Sequence, residues 1–228
     1  MVDTNIKDYD VTKFERPSVT VDVLLFTINE GKLKLLLIKR NESPFEGMWA
    51  LPGGFVKMDE SLEDAAKREL LEESGVKNVF LEQLYTFGDP KRDPRTRVIT
   101  VTYFALSEDR DWELNSTTDA SEASFFDIDN LPDLAFDHDK IIRYGIERLR
   151  NKIGYSNLAF GLLPDEFSLS NLQDVYQIIL GKEIDKRNFR KKMLATGLLS
   201  PTPKKQAKGA HRPALLYKFV SKELVNID

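Results

Sequence analysis

The chain has 228 residues, enough for one large or two small domains, and contains no cysteine and only two histidines, which excludes disulfides, thiolate zinc sites and histidine-rich metal sites. No stretch approaches the roughly 20 apolar residues of a membrane span, and the polar, acidic N-terminus argues against a secretory signal. The composition therefore predicts a cytoplasmic protein with no membrane partner.

The first predicted elements are two strand-like runs at 19–27 (VTVDVLLFT) and 33–39 (LKLLLIK), which flank a turn at 29–32. This arrangement is typical of a β-hairpin. Further strands are predicted at 81–87, 98–106 and 124–128. Between the hairpin and these strands, a short apolar run breaks into paired glycines, Gly53 and Gly54, which let a backbone turn sharply and approach a ligand closely.

A helix is predicted from Ser61 to Ser74, because apolar residues recur at helical spacing and Gly75 follows as a C-terminal stop. Glu69, Glu72 and Glu73 stand at i, i+3 and i+4, so their carboxylates share one helix face. Three neighbouring carboxylates repel one another unless a cation lies among them, and hard divalent cations prefer such oxygen ligands. The cluster therefore predicts a Mg²⁺ or Mn²⁺ site, although an acidic helix face can also simply be solvated.

The loop and helix fill every fixed position of one long pattern, G-x5-E-x7-R-E-U-x-E-E-x-G-U, in which U is a bulky aliphatic residue. The nine positions are Gly54, Glu60, Arg68, Glu69, Leu70, Glu72, Glu73, Gly75 and Val76. On this motif the chain resembles the Nudix hydrolases, which cleave a nucleoside diphosphate linked to another group. The resemblance implies an α/β fold of the Nudix α/β/α sandwich type.

The resemblance also implies residue roles. Glu69 and Glu73 would be the main metal ligands, with Glu72 and the carbonyl of Gly53 as further ligands. Arg68 and Glu60 would hold the loop–helix–loop in shape and complete the catalytic set. Whether a box glutamate or a loop carboxylate deprotonates the attacking water varies within the family, and a box can persist in a protein that serves as a sensor.

Candidate ligand-binding residues outside the helix are mostly arginines, since guanidinium presents paired donors to phosphate. Arg40, Arg95 and Arg97 are the main candidates beside Gly54, and Arg92 is a further one. The stretch 87–97 resembles the corresponding loop of relatives that handle ADP-ribose. Four aromatic residues are candidates for stacking on adenine, although most aromatic residues are core: Phe26, Trp49, Phe55 and Tyr103. Glu122 or Asp119 is a candidate for an additional carboxylate, although surface solvation is an alternative for both.

The C-terminal part is predicted as a separate domain. An amphipathic helix at 139–153 closes the first domain (1–153), with His138 bordering it, and 157–167 is expected to be a connector in the second domain (154–228). A helix to Leu180 follows, then a helix from Asp185 to about Thr196 with Phe189, Met193 and Leu194 inward. A strand, a basic loop at 201–213 and a last strand complete a winged helix-turn-helix.

Charge is distributed unevenly along the chain, with a net −12 over residues 1–181 and +9 over 182–218. The basic residues coincide with the predicted second helix and wing, which favours double-stranded DNA as a partner. The candidate DNA-binding residues are Lys186, Arg187, Arg190, Lys191, Lys204, Lys205, Lys208 and Arg212. The alternatives are a solvated basic face, or one that docks on the acidic domain of a dimer partner.

Over nearly its full length the chain resembles bacterial Nudix-related transcriptional regulators (NrtR-like), as shown by FDHDKIIRYGIERLRNKI, FSLSNLQDVYQIILGKEIDKRNFRKKM and HRPALLYKF. The resemblance implies a homodimer that binds operator DNA in response to ADP-ribose or a related nucleotide, in NAD or sugar metabolism. Some members of that group do not hydrolyse their ligand, but the box is intact in this chain. The alternative function is an ordinary Mg²⁺-dependent pyrophosphohydrolase of ADP-ribose or nucleotide sugars without a DNA-binding role.

Overall fold

A computed structural model describes residues 10–108, 112, 114, 120–206 and 214–226. After a 3-10 turn at Val11–Lys13, the first part of the chain forms one seven-stranded mixed sheet and two helices. The strands are β1 (Ser18–Asn29), β2 (Lys32–Arg40), β3 (Trp49–Ala50), β4 (Gly53–Phe55), β5 (Phe80–Phe87), β6 (Val98–Leu106) and β7 (Ala120–Asp127). The helices are α1 (Leu62–Ser74) and α2 (His138–Lys152).

Strand β1 lies at the centre of this sheet. It pairs in parallel with β6 along 18–26, antiparallel with β4 along 20–22, and antiparallel with β2 along 26–29. The predicted hairpin of β1 and β2 is confirmed, whereas the strand predicted at 124–128 begins four residues earlier, at Ala120. Its pairing with β2 extends to Arg40, because a bulge at that end lets the two strands continue together.

The two faces of β1 carry different cores, as the period-2 alternation of a strand requires. Val21, Val23 and Leu25 pack on one face with Ala66 and Leu70 of α1. On the other face, Leu24 and Phe26 pack with residues of α2, including Ile141 and Ile142. One helix on each face of the sheet gives the expected α/β/α sandwich.

The remaining residues form a winged helix. Its helices are α3 (Leu169–Leu180) and α4 (Lys186–Ala195), and its small sheet has the order β8 (Phe167–Ser168), β10 (Ala214–Phe219) and β9 (Leu199–Gln206). Ser168 begins α3 with a complete capping box, and Gly181 ends it with a left-handed backbone. Asp185 caps α4 by accepting the amide of Asn188 at 2.8 Å, as the sequence predicted.

Three details of the second half differ from the sequence prediction. The connector at 157–167 contains a 3-10 helix, Leu158–Leu162, whose Leu158 and Ala159 are fully buried, so this segment is part of the core. Leu194, predicted inward, is 43% exposed. Strand β9 includes Pro201 and Pro203, which the sequence placed in a loop, because β9 is an edge strand that pairs only with β10 among the described strands.

A single hydrophobic cluster runs from the sandwich into the winged helix. It includes Leu24 of β1, Ile142 of α2, Leu172 of α3 and Phe189 of α4. Arg150, near the end of α2, also donates to the carbonyl of Ile179 at 3.0 Å. None of the helices in the described part of the chain has the length and apolar character that a membrane span requires.

Candidate functional site

The box helix α1 is placed by its two ends. Ser61 accepts the amide of Asp64 at the N-terminus, and Gly75 adopts a left-handed conformation at the C-terminus, as the sequence predicted. The helix lies against the paired glycines, where the amide of Gly53 donates to Oε2 of Glu73 at 2.8 Å. Glu73 is only 5% exposed, so this contact ties the buried end of the helix to the glycine loop.

Arg68 lies at the centre of the box. Its Nε and Nη2 donate to the two carboxylate oxygens of Glu60 at 2.9 and 2.7 Å, and its Nη1 donates to Glu69 at 2.7 Å and to Glu72 at 3.1 Å. These bonds, with the one to Glu60 as the largest cause, raise the pKa of Arg68 above its usual range. Burial raises the pKa of Glu69, and Arg68 opposes that effect. Arg68 thus holds the loop before α1 against the helix.

The Glu60–Arg68 pair leads to a pH prediction. The hydrogen bonds from Arg68 and from the amide of Lys57 lower the pKa of Glu60 from 4.5 to about 2. Because the folded-state pKa is depressed, the contact stabilises the fold fully above pH 4.5 and loses that effect as the pH falls towards 2. We expect the Glu60 carboxyl signal to titrate near pH 2 by NMR and to return towards 4.5 in Arg68→Ala. A wild-type titration near 4.5 would contradict the pairing.

The residues predicted as metal ligands form an all-oxygen set: the carboxylates of Glu69, Glu72 and Glu73 and the carbonyl of Gly53. In the described part of the chain no three Asp, Glu or His side chains converge enough to hold an ion as they stand, because Arg68 binds Glu69 and Glu72. A Cβ on Gly54 would lie 2.3 Å from Oε1 of Glu69, so only glycine lets this carboxylate approach the loop. The donor chemistry fits a divalent metal, the kind that Nudix hydrolases generally use.

A cleft of about 240 Å³ opens beside this loop. Of the predicted residues, Arg40, Gly53, Gly54, Glu73 and Arg95 line it, together with the candidate aromatic residue Phe55. Glu60, Arg68, Glu69 and Glu72 lie in the loop and helix outside that lining. Arg97 is not among the lining residues, and its Nη1 donates to the carbonyl of Val98 at 3.4 Å.

Arg40 and Arg95 supply positive charge to the cleft from two distant segments. Burial lowers the pKa of Arg40, and the charge of Arg95 lowers it further. Arg95 forms a bidentate pair with Asp93, at 3.1 and 2.8 Å, and this pairing raises its pKa. Burial tends to raise the pKa of Asp93, but the hydrogen bonds from Arg95 hold it below its usual range. The sequence prediction did not include Asp93.

Arg92, proposed from the sequence as a phosphate clamp, is instead paired beneath the cleft. Its side chain is 4% exposed and its Nη2 lies 2.9 Å from Asp137 and 3.5 Å from Asp22. Asp22 also accepts from the hydroxyl of Thr100 at 2.6 Å. Each charge in this buried group has an opposite charge beside it, which is what makes such burial tolerable.

His138 belongs to the same buried group. Its Nδ1 accepts the amide of Leu51 at 2.9 Å, and its Nε2 lies 3.6 Å from Oδ1 of Asp22. Burial lowers the pKa of His138, so the neutral ring carries its proton on Nε2, facing Asp22. The prediction that His138 borders α2 is confirmed, since it is the first residue of that helix and Asp137 is the cap.

The other candidates from the sequence lie away from the cleft lining. Phe26 and Tyr103 are buried core residues, and Trp49 packs edge-on against Phe126. Glu122 is exposed and lies 3.9 Å from Lys39, and Asp119 is outside the described residues. The aromatic residue that sequence reasoning missed is Phe136, which lines the cleft from the loop before α2. No local pattern distinguishes it from a core phenylalanine.

The second candidate surface is the outer face of α4. Phe189 and Met193 are buried, and they anchor the helix on the winged-helix core. Four basic side chains on the opposite side are exposed and follow the i, i+3, i+4 spacing of one face: Lys186, Arg187, Arg190 and Lys191. Such a face on the second helix of a helix-turn-helix suits the major groove.

The basic wing is described only in part. Lys204 is exposed on β9 and pairs with Glu166 at 2.8 Å, an ion pair that the sequence did not predict. Lys205 lies on the same strand, but its side chain is outside the described set, as are Lys208 and Arg212. Their role in DNA binding stays a prediction.

Two protein families match the chain. The NUDIX domain matches residues 17–145, and the NrtR DNA-binding winged helix domain matches residues 159–219. The predicted domain boundary after residue 153 lies between these ranges and stays a prediction.

Among curated relatives, the ADPR responsive transcriptional repressor NtrR of Acinetobacter baylyi is 38% identical over 217 residues, which is 94% of this chain and 86% of the relative. The ADP-ribose pyrophosphatase of Methanocaldococcus jannaschii is 43% identical over 141 residues, 60% of this chain and 80% of the relative. The first similarity therefore spans both domains, and the second covers the Nudix part.

Solved structures agree with this division. Shewanella oneidensis NrtR complexed with a 27mer DNA is 37% identical with a TM-score of 0.78, covering 88% of this chain and 93% of that one. The NUDIX domain of Shewanella oneidensis NrtR complexed with ADP ribose is 36% identical with a TM-score of 0.60, covering 65% and 99%. The chain therefore belongs to the Nudix family, and to its NrtR-type members, in which a winged helix follows the Nudix domain.

Proposed function

We propose that this chain is a bacterial transcription regulator that binds ADP-ribose, or a related nucleoside diphosphate derivative, in its Nudix cleft. Its winged helix binds operator DNA through α4 and the wing. The observation that carries this proposal is the similarity to an ADPR responsive repressor over 94% of the chain, which includes the cleft and α4 together. The intact box and the basic face of α4 give that similarity a chemical basis.

The cleft suits a diphosphate ligand on physical grounds. Arg40 and Arg95 offer guanidinium groups, which match phosphate oxygens in geometry and charge. Phe55, 45% exposed at the cleft wall, offers an aromatic face for a base. The acidic helix behind Gly53 and Gly54 would hold Mg²⁺ or Mn²⁺ through Glu69, Glu72 and Glu73 with the Gly53 carbonyl.

The intact box also favours retained hydrolysis of the bound pyrophosphate. A divalent metal in such a site polarises phosphoryl oxygens and stabilises the charge on the leaving phosphate. The protein itself contributes orientation: Arg68 and Glu60 keep the loop against α1, and the Gly53 amide fixes the carboxylate of Glu73. We propose ADP-ribose pyrophosphatase activity as a second property of the same cleft.

We further propose a homodimer as the DNA-binding species. Ligand binding can change DNA affinity only if the ligand prefers one arrangement of the protein over another. A symmetric dimer supplies two such arrangements, because its two winged helices must match two half-sites at one spacing. Sedimentation velocity of the full chain would measure the assembly, and a monomer bound to one half-site would contradict it.

The test begins by selecting binding sequences from a random double-stranded DNA library with the full-length protein. The Kd for the enriched sequence is then compared with that for a shuffled sequence of equal composition, with and without saturating ADP-ribose and EDTA. We expect specific binding, and a change in Kd of about 5- to 150-fold on adding ADP-ribose. AMP and ribose 5-phosphate together serve as the control for hydrolysis products.

The alternative, a pyrophosphohydrolase with no DNA role, makes the opposite prediction. It expects no enriched sequence and equal, salt-sensitive affinity for all duplexes, since only phosphate contacts would operate. Specific DNA binding that ADP-ribose leaves unchanged would retain the DNA-binding domain and reject the sensor role.

A further inference from the structure

The two arginines of the cleft pose an electrostatic problem. Arg40 ends β2 and Arg95 lies in the loop before β6, yet the charge of Arg95 acts on Arg40 strongly enough to lower its pKa beyond the effect of burial. Two guanidinium groups that are this close repel each other in the absence of a ligand. Something must hold them together if the cleft is to meet an anion with both.

Part of the answer is that each guanidinium is held from one side. Nε and Nη2 of Arg40 donate to the carbonyls of Pro44 and Glu42 at 2.9 and 3.2 Å. Nε and Nη2 of Arg95 donate to the carboxylate of Asp93. Within the described ranges, Nη1 of neither arginine has a hydrogen-bond acceptor, although both side chains line the cleft. Those N–H groups remain for a ligand.

The other part is an aromatic ring that both arginines share. Cζ of Arg40 lies 5.0 Å from the centre of the Phe136 ring, and Cζ of Arg95 lies 5.6 Å from it. Both distances are within the range of cation–π attraction, which offsets part of the repulsion between the two charges. Phe45 contacts the same ring edge-on, with centroids 4.8 Å apart, and so fixes its position.

The backbone at Phe136 adopts an unusual conformation. Its φ is +55°, in the left-handed region that bulky side chains rarely occupy. Such strain persists only where the surrounding structure determines it, and it concentrates at binding sites. A phenylalanine that only filled the core would have no need of this backbone, since an ordinary loop conformation would bury its ring as well.

We propose that Phe136 is a positioning residue that holds Arg40 and Arg95 side by side, so that the cleft prefers two linked phosphates over one. This inference rests on the proposed function, in which the ligand carries a diphosphate. A diphosphate meets both guanidinium groups at once, whereas a single phosphate needs only one of them. Loss of the shared ring therefore weakens the diphosphate ligand more than the monophosphate.

The test measures the Kd of ADP-ribose and of AMP by calorimetry on the full chain, in EDTA so that no turnover occurs. In Phe136→Leu we expect the Kd of ADP-ribose to rise about tenfold, from the loss of two cation–π contacts, and that of AMP to rise less than threefold. Phe136→Tyr keeps the aromatic face and should restore the wild-type ratio of the two constants. Phe87→Leu, the same change at a ring outside the cleft, should leave the ratio unchanged.

The outcomes separate clearly. An equal loss for both ligands in Phe136→Leu would overturn the proposal, because the ring would then contact a part that both ligands share. Unchanged affinity for both would overturn it as well, as would failure of Phe136→Tyr to restore the ratio while its melting temperature matches the wild type. A wild-type protein that binds no ADP-ribose would instead reject the proposed function itself.

Discussion

Glu73→Gln is expected to reduce ADP-ribose hydrolysis by about 100-fold or more, because a metal ligand contributes several kcal/mol of charge stabilisation and each 1.4 kcal/mol is tenfold in rate. Gln retains an oxygen that can accept the Gly53 amide, so the loop contact at 2.8 Å can persist while the negative charge is lost. The measurement is AMP release from ADP-ribose with Mg²⁺, compared at equal protein concentration and with melting temperatures recorded for both proteins.

The matched control is Glu63→Gln on the same helix. Glu63 pairs with Lys67 at 2.6 Å on an exposed face, far from the glycine loop in its contacts. We expect its turnover to equal that of the wild type. Equal losses in both variants would assign the effect to the helix as a whole, and full activity in Glu73→Gln would remove Glu73 from the catalytic set. A wild type without turnover would reject hydrolysis and leave the cleft as a sensor site.

The second large effect concerns α4. Replacing Arg187 and Arg190 together with alanine is expected to raise the Kd for the selected DNA by about 10- to 100-fold, since each such contact contributes on the order of 1 to 3 kcal/mol when it reaches a base. Both side chains are exposed, so their removal leaves no buried group without a partner. If the contacts are to phosphates, the slope of log K against log salt should fall by about 0.9 per contact.

A control variant removes the same charge from the other domain. Lys32 and Lys67 are exposed in the Nudix part, so Lys32→Ala/Lys67→Ala changes the net charge equally. We expect it to bind DNA as the wild type does, with the same salt dependence. Equal weakening by both pairs would mean that net charge, and no particular face, controls binding. A lowered melting temperature in the α4 variant would point to damage of the fold.

Much of this protein is visible in its sequence, because its main signals are local. The helix from Leu62 to Ser74 follows from apolar spacing, a capping serine and a terminal glycine, all within 15 residues. The side-by-side placement of Glu69, Glu72 and Glu73 follows from helix geometry alone. The same holds for α4, where Asp185 and the alternation of Phe189 and Met193 with basic residues set both its start and its exposed face.

The tertiary structure decided what depends on residues distant in sequence. Arg92 became a buried partner of Asp22 and Asp137, because those carboxylates, from β1 and from the start of α2, meet it beneath the cleft. The segment 157–167 became core because α3 and the sheet cover it. No spacing rule brings such groups together.

The cleft shows the same division. The sequence by itself determined that a carboxylate helix follows paired glycines and that arginines stand nearby, since each is a property of a short segment. Only the fold decided that Arg40 and Arg95 share the ring of Phe136 while Arg97 lies outside the cleft lining. The physical reason is that hydrogen bonding and side-chain periodicity act within a few residues, whereas packing selects among all partners that the folded chain brings within contact distance.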